Sequence, residues 1–225
     1  MIDSAIATFF GYFRQEADAL DTFERKQYRK ILICVFLDTL AKAMFPKIDG
    51  NRERFTKHLR ECTSWEHWSR IATFQLHYRL QATGNAPSEL SEQIDSLIRR
   101  HPQYSVIRVT SEPTIDDILP YARTNEERRL VEQSTYLSLF YLLRNYLVHE
   151  GREPGGAYEF EEDTDPVYMT FTRTDDDSRD IESKELLFPY KFMKMLLLEC
   201  IDHSQSYFSD LNVDPRTRFS MTSVW

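Results

Sequence analysis

Cysteine is scarce: 225 residues contain three, Cys34, Cys62 and Cys200, with no CxxC pair among them. That spacing builds no disulfide framework and points to a reducing compartment. A basic excess is missing too. The 28 Lys and Arg stand against 36 Asp and Glu, a formal net charge of −8, which excludes a protein that coats nucleic acid by bulk charge. Any polyanion site must therefore be small and focused. The longest apolar run, residues 31–37, lies between Lys30 and Asp38, far short of the roughly 18 residues that a spanning helix needs. The start of the chain has neither a basic leader nor a small-residue cleavage site, so the expectation is a soluble cytoplasmic protein with no membrane partner. No P-loop, GxGxxG, GxSxG or HExxH pattern occurs, which removes most nucleotide, hydride-transfer, hydrolase-elbow and zincin readings.

What is present is helical and aromatic. The 41% hydrophobic and 13% aromatic content can fill a real core, and the length suits one large domain or one domain with an appendage. Ile6, Phe9, Phe10, Phe13, Ala17 and Leu20 recur at spacings of three and four, which predicts a helix over 4–20 with Ser4 as its cap. A second helix over 22–45 ends before Pro46 and Gly50. Two shorter ones follow over 51–62 and 65–80, the latter capped by Ser64, and a more polar one over 88–100. Pro102, Pro113 and Pro120 break any long helix between 101 and 123, where 105–109 is read as a short extended segment in a packed connector. From Thr124 or Asn125 one long helix runs to a C-terminal glycine, Gly151.

Beyond Gly151 the period changes. The runs 158–161 and 167–172 alternate around a turn, which predicts a β-hairpin closed by the acidic Asp175-Asp176-Asp177. A last helix over 189–208 follows. The fold class is thus mainly α: one helical bundle across 1–225, with a β-hairpin inserted at 154–180 before the final helix and an irregular tail at 212–225.

The long helix closes on Arg144-Asn145-Tyr146-Leu147-Val148-His149-Glu150-Gly151, an R-N-x-x-x-H pattern. With 20 Arg, 6 His and five Asn in the chain, this combination arises by chance about 0.01 times. Asn145 and His149 stand at i and i+4 on one face, and Arg144 must reach across from about 140° away in an α-helix. In the last turn the negative end of the helix dipole favours imidazolium at His149. Arg144 offers a fork for a phosphate and for the charge that builds on it, and Asn145 an orienting donor. Read plainly, the same three residues are also an ordinary helix end.

The motif at Arg144, Asn145 and His149 resembles the signature of the HEPN superfamily of helical-bundle proteins, many of them metal-independent ribonucleases of toxin, CRISPR and antiphage systems. The resemblance implies a HEPN-like bundle and an RNA endonuclease without metal or other cofactor. Attack by the RNA 2′-OH leaves a 2′,3′-cyclic phosphate. One group must take the 2′-OH proton and another must protonate the leaving oxygen, which a single histidine cannot do at once. A homodimer bringing two copies of the motif across one cleft meets that need. A cognate inhibitor or defence-system partner belongs to the same expectation. The position two after the histidine, a tyrosine in some toxin members, is Gly151 here, so regulation by nucleotidylation of that tyrosine has no acceptor. From another class comes a HEPN-like module that binds RNA or a protein without cutting.

Tyr146 and Glu150 are neighbours of the motif, and Arg52 and Arg54, with Asn51, Glu53, Lys57, Arg60 and Arg70, form either a basic strip that guides RNA or a solvated helix face with a Glu53–Lys57 pair. His58 and Cys62, with His67 and His77, lack a fourth ligand and the compact spacing of a zinc site, so no metal is assigned. Trp65 and Trp68 are candidates for base stacking or for core packing. The acidic residues Glu159, Glu161, Glu162, Asp163 and Asp165 lack a calcium-loop pattern and are read as a solubilising hairpin edge.

Overall fold

The structure is a computed structural model that describes residues 2–84, 86–102, 105–154, 159, 163–174 and 180–219. Its elements in chain order are α1 (Ile2–Ala19), α2 (Lys26–Met44), α3 (Asn51–Cys62), α4 (Thr73–Ala82), α5 (Glu89–Ile98), β1 (Ile107–Arg108), α6 (Ile115–Ile118), α7 (Asn125–Gln133), α8 (Tyr136–Asn145), β2 (Val167–Thr174), β3 (Asp180–Leu187) and α9 (Tyr190–Leu211). The fold is mainly helical with a small antiparallel sheet, as the sequence periodicity predicts at that level. The chain divides into two compact units: Met1–Trp65, Tyr141–Pro154 and Tyr190–Trp225 form the first, and Glu66–Phe140 and Gly155–Pro189 the second.

In the first unit α9 packs on α1, α2 and α3. Ile6, Phe10, Phe13 and Ala17 are the buried stripe of α1. Phe13 meets Phe36 of α2 edge-on at 5.7 Å, and Phe10 lies 6.0 Å from Phe208 of α9. Helix α3 has the bounds that its pattern predicts, whereas α1 begins ahead of Ser4, so that residue is not its cap: Ser4 O accepts from Thr8 Oγ1 at 2.7 Å inside the first turn. Trp65 is buried and packs 4.9 Å from Phe192, which places it in the core and not on a stacking surface.

The second unit is built around Ile71, Leu76, Leu90, Ile94, Ile118, Leu130 and Val131. Here two expected helices are broken by the same contact. The helix expected over 65–80 is a 3-10 turn at Glu66–Ser69 followed by α4, because the backbone between them is used elsewhere. Arg70 and Ile71 form bridges to Thr114 and Thr135, Ile71 N donates to Pro113 O at 2.8 Å, and Ala72 N donates to Ser134 O at 2.9 Å. On the other side, Ser134 and Thr135 divide the long helix into α7 and α8. Ser134 Oγ donates back to Leu130 O at 2.8 Å and Thr135 Oγ1 accepts from Ser138 N at 3.2 Å, side-chain bonds that replace the helical ladder. The start signals hold: Ser88 and Thr124 each close a capping box, on Ser91 and Glu127. Trp68 is buried 5.8 Å from Phe140.

The hairpin differs from its expectation in register. The run from Val167 is the first arm, not the second, and pairs antiparallel with β3, from Val167↔Leu187 to Thr174↔Asp180; β1 adds on the other edge at Ile107↔Tyr168. The charge-rich sequence of β3 concealed a strand whose buried positions are Lys184 and Leu187, with the Lys184 ammonium satisfied by Ser105 O at 2.8 Å. Most of the run 158–161 and the acidic segment Asp175-Asp176-Asp177 lie outside the described residues.

Glu112 is the most exacting polar group of this unit. It is 2% exposed, and its carboxylate accepts from the backbone N of Thr73 at 3.2 Å and from the Thr73 hydroxyl, holding the first turn of α4. Burial pushes its carboxyl up from 4.5 to about 7 against the pull of those bonds. The folded chain therefore holds a proton that the unfolded chain has lost between those two values, so the extra stability present below pH 4.5 drains away as pH rises through about 7. Urea denaturation across that window should show a loss on the order of 3 kcal/mol. Glu112→Gln, which keeps the neutral shape, should flatten the slope; an identical slope in the variant would contradict this assignment.

Candidate functional site

The motif residues sit where α8 stops being an α-helix. Tyr146–Glu150 form a π-helical turn, and Gly151 ends it in the left-handed conformation, φ 62°, with its N–H on Tyr146 O. A turn closed by i→i+5 bonds is wider than an α turn and brings residues five apart towards one side. The reach from Arg144 to His149 is thus shortened by the backbone itself.

Arg144 is 7% exposed. Its Nε donates to Asp38 Oδ2 at 2.7 Å, and Nη2 donates to the same oxygen. Its Nη1 donates to Asn145 Oδ1 at 2.9 Å and meets His149 Nε2 at 3.0 Å. The three motif side chains therefore converge on one guanidinium, anchored from α2. A guanidinium has donors only, so this contact is a hydrogen bond when Nε2 of His149 accepts, which is the Nδ1–H tautomer of the ring. Asn145 gives its carbonyl oxygen to Arg144. Burial raises the Asp38 carboxyl, with the Arg144 bond and charge, and then the Arg54 charge, pulling it back.

Asp38 is the residue that the sequence reading missed. It lies 106 positions from Arg144 and reads as no more than the end of an apolar run. A signal was there. Gln27, Lys30, Cys34 and Asp38 recur at spacings of three and four along α2, and they form the seam that α2 presents to the motif segment. Gln27 Nε2 donates to Gly151 O, and Lys30, 2% exposed, pairs with Glu153 at 2.7 Å. Cys34 is fully buried between these charges, and burial pushes its thiol far up, which leaves it unreactive.

The outer candidates divide. Tyr146 and Glu150 turn to Arg152, whose guanidinium lies 5.0 Å from the Tyr146 ring and 2.7 Å from the Glu150 carboxylate. Arg52 lies 5.9 Å from the Tyr141 ring, and Arg54 donates to Ile48 O at 3.1 Å and to Asn51 Oδ1. The i,i+4 pair on α3 is Lys57 with Glu61 at 3.6 Å, in place of the expected Glu53 with Lys57, and Lys57 also covers Phe45. His58 is a core residue: its Nε2 lies 3.4 Å from Ser204 Oγ, and burial lowers it to about 3. Burial also pushes the Cys62 thiol up to about 12.

No protein-family model, curated protein or solved structure matches this chain.

An anchored guanidinium makes a testable energetic claim. Asp38→Ala and Arg144→Ala each leave a partly buried charge unpaired, so each should destabilise the fold, while the double variant should cost less than both together. The expected coupling by chemical denaturation is about 1–3 kcal/mol; additive effects would show that the pair is incidental.

Proposed function

We propose that this chain is a metal-independent RNA endonuclease of HEPN type whose working site holds Arg144, Asn145 and His149. One observation carries the reading: the buried Arg144 guanidinium bonds both Asn145 and His149 while Asp38 fixes it from behind. Arg, Asn and His converge in the manner expected of a phosphate-directed site, and His149 itself stays exposed.

The chemistry follows from these groups. A phosphodiester that approaches Asn145 and His149 competes for the hydrogens of Arg144 Nη1, which then face the non-bridging oxygens and the charge that builds on them. The neutral His149 of one copy accepts the 2′-OH proton as O2′ bonds phosphorus. The P–O5′ bond breaks and O5′ takes a proton from the His149 of a second copy, giving a cyclic phosphate and a 5′-hydroxyl. Each chain supplies one such histidine, so the homodimer is part of the proposal. A nuclease of this kind acts in toxin or antiphage defence, with an inhibitor or trigger among its partners.

A second reading has its own observation. Every N–H direction of Arg144 described above already has a protein acceptor, which suits a HEPN-like module that binds RNA or a protein without cutting.

Purified protein incubated with labelled RNA in EDTA separates them. Cleavage leaving 2′,3′-cyclic phosphate ends is expected, falling about 100-fold or more in His149→Ala and in Arg144→Ala. Cleavage that persists in both variants, or that requires a divalent ion, would overturn the nuclease reading; oligonucleotide binding without cleavage would move the assignment to the module.

A further inference from the structure

The second unit holds a cavity of about 450 Å³ lined by α4, α5, α7 and the chain between α4 and α5, a volume that suits a small organic molecule. Leu80, Ala86, Pro87 and Leu130 give it apolar walls. Its polar lining is of two kinds. Ser88, Ser91 and Thr124 are spent on the capping boxes that start α5 and α7, and the Glu127 carboxylate accepts from the backbone N of Arg123 at 2.8 Å and of Thr124 at 2.9 Å. The others are open. Nδ1 of His77 lies 2.9 Å from Asp95 Oδ1; since a carboxylate only accepts, Nδ1 carries the hydrogen, and in the neutral ring Nε2 is left as an acceptor. His77 Nε2, Asp95 Oδ2 and the Glu126 carboxylate have no partner among the described residues. The side chains of His77 and Asp95 are 23% and 44% exposed, so both remain within a ligand's reach.

Charge then decides the class of ligand. Asp95, Glu126 and Glu127 line the cavity, and among the described residues no Lys or Arg does. An anion meets like charge there, whereas an ammonium group is answered. The open acceptors belong to two parts of the lining, His77 with Asp95 on α4 and α5, and Glu126 on α7, while the apolar walls suit a methylene chain. We propose that this cavity binds an aliphatic diamine or polyamine. One ammonium donates to Asp95 and to His77 Nε2, a second donates to Glu126, and the hydrocarbon spacer lies against Leu80 and Leu130. Asp95 also fixes the tautomer that makes His77 Nε2 an acceptor.

The test titrates the full chain with putrescine, butanediol and succinate, which share a four-carbon length and differ in charge. Calorimetry and the ring-proton NMR signal of His77 supply two readouts. Putrescine is expected to saturate one site and to move the His77 signal along the same curve, and the neutral and anionic compounds to do neither. Asp95→Asn and Glu126→Gln should each weaken putrescine about 10-fold, the loss of one charge-assisted hydrogen bond. Glu126 is exposed and has no partner to lose, so its variant keeps the fold intact. Asp116→Asn, an exposed carboxylate of α6 outside the lining, should change nothing. Absence of saturable putrescine binding, equal binding of butanediol or succinate, or an equal loss in Asp116→Asn would overturn the site.

Discussion

A guanidinium that is 7% exposed must have its charge answered inside the protein, and in this chain Asp38 answers it. That pairing sets the rest of the site. Removing a cation from water costs several kcal/mol unless an opposite charge and further acceptors replace the lost solvation. Arg144 finds the carboxylate on α2 and two more acceptors, Asn145 Oδ1 and His149 Nε2, on its own segment. The π-helical turn at Tyr146–Glu150 is the backbone form of the same constraint, since it lets residues five apart share one side. Gln27 and Lys30 fasten the chain just beyond the turn, at Gly151 and Glu153. The motif is therefore held along one face of α2 and not by the helix that carries it.

Electrostatics then divide the labour. The guanidinium can only donate to Nε2 of His149, so the tautomer of the ring depends on what engages Arg144. In the proposed reaction a phosphate that draws Arg144 Nη1 to itself leaves Nε2 of His149 open at the moment a proton acceptor is needed. In the proposed homodimer the two copies of His149 take the two roles, one as proton acceptor and one as donor.

The parts of this architecture that follow local rules were legible in the sequence. The stripe Ile6, Phe10, Phe13, Ala17 was visible as a period, α3 has the bounds that its pattern predicts, and Ser88 and Thr124 cap as their chemistry requires. The failures are long-range. Nothing local to Ser134 and Thr135 announces that Ala72 and Ile71 will take their backbone groups, and so the helix break was hidden. The strand at Asp180–Leu187 was concealed because its buried Lys184 finds a partner in Ser105, a contact 79 residues away. The motif residues Arg144, Asn145 and His149 were found by spacing and are brought together. Asp38 was not found, because an ion pair between two helices leaves only a weak mark on each: here, Gln27, Lys30, Cys34 and Asp38 at three- and four-residue spacing among the other polar residues of α2.

The protonation pattern of the His149 ring reports on the cluster most directly. Nitrogen NMR of ¹⁵N-labelled protein at mildly alkaline pH, where an imidazole is neutral, distinguishes the two tautomers. With Arg144 donating to Nε2, the wild-type ring is expected as the Nδ1–H form, and Arg144→Leu should shift the population to the Nε2–H form usual for an unconstrained histidine. An Nε2–H ring in the wild type, unchanged by the substitution, would contradict the convergence of the motif on Arg144 and remove the support for the proposed chemistry.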